Sequence, residues 1–159
     1  MGDRRGALTL AGADAMVTGM AGVTIRPIED RDRAGVVRLW QACALTRPWN
    51  DPDRDLTMAM ESGDATMFVA EQGGTVVGSV MTGFDGHRGW IYYLAVAPDR
   101  QREGLGRRLF AASEAWLKQR GAPKIQLMVR EGNTAAARFY EAIGLELQPV
   151  VTYGRWLRD

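Results

Sequence analysis

Residues 96–110 read VAPDRQREGLGRRLF. The run before them, WIYYLAV (Trp90–Val96), is apolar or aromatic on both alternating faces, as a central strand covered on both sides would be. Pro98 breaks that run, and two glycines follow among four arginines. Beyond the turn, Leu105, Leu109, Ala112 and Trp116 mark one face of an amphipathic helix that Gly121 is placed to end. The stretch therefore predicts a strand, a turn and a helix in immediate succession.

A helix that begins behind glycines presents unpaired backbone N–H groups and the positive end of its dipole. Gly104 and Gly106 let a ligand approach the main chain, and Arg102, Arg107 and Arg108 add local positive charge. Those features predict an anion cradle. The phosphate-loop pattern G-x-x-x-x-G-K-[ST] is absent, and the dinucleotide pattern G-x-G-x-x-G lacks its third glycine. What stands is Q-x-x-G-x-G, from Gln101 through Gly104 to Gly106. Alone, that short pattern is equally explained by a tight turn with solvated arginines. Its place between a central strand and a helix favours a ligand.

Working outward, VTIRPIE (Val23–Glu29) reads as a first strand, and Asp30 or Asp32 is placed to cap a helix carrying Val36, Trp40 and Cys43. TRPWNDPDRD interrupts it, and a short helix is expected around Leu56–Met60. MFVAE and TVVGSVM flank QGG as a β-hairpin, and GFDGHRG forms the next turn. Downstream, KIQLMV is a strand, NTAAARFYEAI a helix ended by Gly144, LELQPVV a last strand and YGRWLRD a short edge strand. The order β-α-α-β-β-β-α-β-α-β implies a mixed sheet with helices on its faces, in one domain over 23–159. Residues 1–22 have early arginines and a short apolar segment broken by Asp14, and are expected to be a flexible extension.

Composition narrows the function classes. A net charge of +1 supplies no general field for nucleic acid or an anionic membrane, and Asp99 and Glu103 are interleaved with the arginines. Cys43 and His87 are the only residues of their kinds, so neither a disulfide framework nor a Cys/His zinc cluster can form. One cysteine fits a reducing compartment, and a cytoplasmic location is expected. No apolar run approaches the length of a membrane span.

A second pattern, EGNTAAARFYEAIGLE, follows the strand KIQLMV. Asn133 can cap its helix, three alanines keep the first turn thin, and Tyr140 points about 100° around the helix from Phe139. VAPDRQREGLG together with NTAAARFYEAIGL resembles the GNAT superfamily, the GCN5-related N-acetyltransferases. RPWNDP (Arg47–Pro52), DGHRG (Asp85–Gly89) and YYLAV (Tyr92–Val96) make the chain most similar to the small bacterial YpeA-type members. The resemblance covers about Val23 to Arg158. It implies a mixed α/β (α+β) fold, with a mostly antiparallel sheet of six to seven strands splayed between strands 4 and 5.

It also implies acetyl-CoA as donor and direct attack by an amine on the thioester. The pyrophosphate would lie on Arg102, Glu103, Gly104, Leu105, Gly106 and Arg107, with Gln101 also among the cofactor-binding residues. Pantetheine would pair with Leu94, Ala95 and Val96, and the Val96 N–H would polarise the thioester carbonyl. Asn133 would bind the cofactor or order water beside it, and Tyr140 would act as the acid for the departing thiolate. Where ribosomal-protein N-terminal acetyltransferases carry a glutamate, this chain has Met128, so the base stays open among Glu131, Asp85, His87 and water. Cys43, on an apolar helix face, is expected to be structural.

The acceptor would be an amine-bearing small molecule or peptide. Arg47 and Arg88 are placed to grip an acidic acceptor between Trp49 and Trp90. The bland alternative is that Pro48 and Trp49 plug the core edge, which is the favoured reading of Trp49, and that Asp85–Gly89 is a plain hairpin turn with His87 exposed. A non-catalytic acyl-CoA-binding module and a ribosomal-protein-type N-terminal acetyltransferase are the alternatives, and a homodimer stays open.

Overall fold

The computed structural model describes residues 22–158, so the expected extension lies outside the described residues except for Gly22. The elements run β1 (Thr24–Pro27), α1 (Arg33–Ala42), α2 (Pro52–Glu61), β2 (Ala65–Gln72), β3 (Thr75–Phe84), β4 (Gly89–Val96), α3 (Leu105–Gln119), β5 (Ile125–Leu127) and α4 (Thr134–Ala142). Short 3-10 turns precede α1, at Asp30–Asp32, and α3, at Pro98–Arg100. Contacts divide the chain into two compact units, one up to Gln126 and one from Leu127.

The sheet has five strands in the order β1-β2-β3-β4-β5. The first three pairings are antiparallel, and β5 follows β4 through the α3 crossover. On one face α1 and α2 bury Val36, Leu39, Trp40, Leu56 and Ala59 against Met67, Val69 and Ala95. Each large apolar side chain so buried contributes about 1.5–3 kcal/mol. On the other face α3 lies close to the sheet: a Cβ on Gly78 would sit 2.8 Å from Leu109 Cδ1, and one on Gly89 2.6 Å from Leu117 Cδ1. A side chain at either position would have to push that leucine aside.

The N-terminal cap of α1 differs from expectation. Asp32 occupies the capping position, but its carboxylate turns back to Arg26, at 2.7 and 2.9 Å, and to the Glu29 N–H at 2.8 Å. Arg26 also donates Nε–H to Glu71 at 2.7 Å, which ties the helix start to β1 and β2. By contrast α2 begins as its sequence suggests, with Asp51 accepting from the Asp53 and Arg54 N–H groups and Pro52 in the first turn. It is longer than the short helix expected around Leu56–Met60.

Two expected strands do not form. β5 stops at Leu127, and residues 145–158 carry no strand. The sheet therefore has five strands rather than six or seven. Pro149 interrupts LELQPVV without an N–H to give a ladder, which opposes a central strand there. Thr152 Oγ1 lies 3.5 Å from Met128 Sδ, while Leu147, Tyr153 and Leu157 are exposed.

Candidate active site

The turn after β4 has the backbone expected of a ligand cradle. Gly104 caps α3 at φ 80°, and no atom lies within 4 Å of where its Cβ would be. Arg102 is also left-handed, at φ 68°. The first N–H groups of a fifteen-residue helix thus begin behind an open, side-chain-free position.

The four arginines of the turn separate into two roles. Arg100 donates to Glu103 at 2.8 Å and to Gln72, so it braces the turn. Arg108, which the sequence counts among the local positive charges, reaches the Val23 carbonyl at 3.2 Å and serves the fold instead. Arg102 and Arg107 are exposed. Gln101 donates Nε2–H to the Val96 carbonyl at 3.3 Å, linking the turn to the end of β4.

The orientation of Val96 follows from an irregularity inside β4. Residues of an antiparallel strand alternate in the direction of their N–H and C=O groups. The Gly89 N–H donates to Lys124 at 2.8 Å, away from β3. Unbroken alternation from Gly89 would turn the Val96 N–H toward β3. The register instead passes from Tyr92↔Met81 to Ala95↔Ser79, so Tyr93 and Leu94 oppose Val80 alone. This is a β-bulge, and it reverses the phase. The Ala97 N–H then donates to Val77 at 2.9 Å, and Val96 opposite Gly78 faces away from β3.

Of the three residues expected to meet pantetheine, Ala95 is thus turned to β3 and Val96 is turned outward. The cost sits on Tyr93, at φ 50°, a conformation worth about 1–3 kcal/mol of strain in a residue other than glycine. No periodicity of side chains announces this bulge, because Trp90–Val96 is apolar or aromatic throughout.

Several other expected residues are engaged in their own loops. Asp85 accepts from the backbone N–H groups of His87 and Arg88 at 2.8 and 2.6 Å and from the Trp90 indole at 3.0 Å. The Arg88 N–H, first, then Trp90 and the His87 N–H, hold its carboxyl down to about 2. A carboxylate so stabilised is a poor proton acceptor at neutral pH. His87 is exposed. Arg47 donates to the Ala44 and Thr46 carbonyls at 2.7 and 2.9 Å, while Trp49 is 46% exposed.

Cys43, at the C-terminal cap of α1, is half-buried and points its thiol at the Val96 carbonyl, 3.2 Å away. Burial pushes that thiol up, which keeps it protonated and un-nucleophilic.

In the second unit, Asn133 caps α4 by accepting from the Ala136 N–H at 3.2 Å. Tyr140 is half-buried, with the Phe139 ring edge-on at 5.1 Å. Burial pushes its hydroxyl up to about 12, so it carries a proton at neutral pH. Glu131 and Met128 are exposed.

Residues 34–145 match the acetyltransferase (GNAT) family. An acetyltransferase of Yersinia pestis (strain Pestoides F) is 43% identical over 133 residues, 84% of this chain and 94% of that protein. An acetyltransferase of Pectobacterium atrosepticum is 44% identical over the same share of each. Among solved structures, the aminoglycoside acetyltransferase AAC(6')-Iy with a bisubstrate analogue superposes with a TM-score of 0.72 at 18% identity, covering 86% of this chain and 99% of that one. A transcriptional regulator from Bacillus halodurans C-125 gives 0.70 at 21%, covering 84% and 99%.

Proposed function

Because this chain belongs to the acetyltransferase (GNAT) family, and is thereby an acyltransferase with acetyl-CoA as donor, we propose that it transfers acetyl directly to a primary amine of a small molecule or peptide. One observation carries the reading: the outward-facing Val96 amide and the open Gly104 turn follow one another on β4 and α3. The first suits a thioester carbonyl and the second a pyrophosphate.

In this reading the N–H groups at the start of α3, with Arg102 and Arg107, neutralise the pyrophosphate. The Val96 N–H donates to the thioester carbonyl and stabilises the negative charge that grows on its oxygen as the amine attacks. The acceptor nitrogen forms the new amide bond, the carbon–sulfur bond breaks, and the thiolate leaves. Tyr140, protonated at neutral pH as tyrosines ordinarily are, supplies the proton to that sulfur. The amine must lose a proton to attack, and Asp85 is set aside as its acceptor by the N–H groups already on it. Glu131, His87 or a water accepts it. Protonated Cys43 favours transfer in one step over an acetyl-cysteine relay.

A CoA-release assay over monoamines, polyamines, amino acids and peptides tests the proposal. Turnover with formation of an N-acetyl product is expected for at least one class. Acetyl-CoA binding without turnover of any amine would point instead to a binding module.

A further inference from the structure

Tyr93, the strained residue of the β4 bulge, is held from three directions. Ser79, fully buried on β3, donates its hydroxyl to the Tyr93 carbonyl at 3.4 Å and accepts the Trp40 indole N–H at 3.0 Å. The Trp40 ring lies flat on the Tyr93 ring, with centroids 3.9 Å apart. The Tyr93 hydroxyl donates to Asp55 Oδ2 on α2 at 2.6 Å.

A left-handed aromatic residue persists only where its surroundings over-determine it. Without these contacts, Tyr93 relaxing to an extended conformation, with β4 slipping by one residue against β3 beyond Tyr92, would remove the bulge. Strand β4 would then keep one phase from Gly89 onward, and the Val96 N–H would turn to β3. Ser79 and Asp55 lie 17 and 41 positions from Val96 in sequence, yet its direction depends on them through Tyr93.

We propose that Ser79 and Asp55 are positioning residues for acetyl transfer, locking Tyr93 in the conformation that directs the Val96 N–H at the thioester carbonyl. Neither touches the donor; both act through the backbone of β4. The inference rests on Val96 being the carbonyl's hydrogen-bond donor, and its test separates the two claims.

The test compares acetyl-CoA with ethyl-CoA, the thioether that lacks the carbonyl, by calorimetry on the full chain. The wild type is expected to bind acetyl-CoA about fivefold more tightly, the worth of one hydrogen bond. Ser79→Ala and Asp55→Ala are expected to lose that preference while keeping their affinity for ethyl-CoA. Thr82→Val is the control, since buried Thr82 makes the same kind of bond, to the Trp90 carbonyl at 3.1 Å, upstream of the bulge. It is expected to keep the preference. Should Ser79→Ala fail to fold, the half-buried Asp55 carries the test alone. A preference retained in the Asp55 variant overturns the positioning role and leaves the Val96 assignment standing. No preference in the wild type removes both.

Discussion

The Trp40 and Tyr93 rings stack with centroids 3.9 Å apart and planes inclined by 10°. Trp40 belongs to α1 and Tyr93 to the middle of β4, so the stack fastens a helix to the one place where the central strand departs from regular pairing. Trp40 is fully buried, and its indole N–H is satisfied by Ser79 rather than by water. The burial that stabilises this face of the sheet therefore also holds the backbone beside the proposed donor site.

Tyr140→Phe separates catalysis from binding. If Tyr140 is the acid, losing its hydroxyl should lower kcat about 100-fold with little change in the affinity for acetyl-CoA. Steady-state kinetics with any accepted amine reads this. An unchanged kcat would remove Tyr140 from the mechanism.

Gly104→Ala and Gly121→Ala form a matched pair. Both glycines are left-handed, at φ 80° and 77°, with open space where a Cβ would stand. Each substitution should cost about 1–2 kcal/mol of stability through backbone strain alone. Only Gly104→Ala should also weaken CoA binding, because its methyl projects into the proposed cradle. Equal CoA affinity in the two variants would argue against that placement.

Cys43→Ala should leave kcat nearly unchanged, and mass spectrometry of the wild type mixed with acetyl-CoA should detect no acetylated Cys43. The variant loses the thiol contact to the Val96 carbonyl, which still accepts from Gln101. Abolished turnover with an acetyl-enzyme in the wild type would establish a covalent route instead.

Acid should unfold the protein partly through Asp32. Its folded-state pKa lies below the usual carboxylate range, chiefly because Arg26 hydrogen-bonds the ionised form. A group depressed in this way stabilises the fold above its unfolded value, near 4, and the contribution disappears as pH falls through the lower folded value. Asp32→Ala should cost about 3 kcal/mol at neutral pH, since it removes the two-pronged carboxylate partner of a nearly buried guanidinium. Urea denaturation at neutral pH and at pH 3 reads both effects: the gap between wild type and variant should narrow in acid. A constant gap would show that Asp32 acts through packing.

The sequence displays local chemistry well and distant chemistry poorly. The Gln101–Gly106 pattern, the α3 face and the Asn133 cap are legible because each depends on neighbours within a turn or two. Arg108 looks like part of the anion cradle until the fold brings it to Val23, 85 positions away. The bulge is hidden because an added residue in a uniformly apolar strand leaves no break in pattern. Asp55 and Trp40 gain meaning only when α1 and α2 fold over Tyr93. LELQPVV alternates enough to suggest a strand, but Pro149 lacks the N–H a ladder requires.

Calorimetric titration of the intact protein with acetyl-CoA tests the central claim most directly. One saturable site per chain is expected, with affinity falling as salt screens the pyrophosphate contacts. A protein that takes up no acetyl-CoA would contradict the reading of the Gly104 turn and everything built on it.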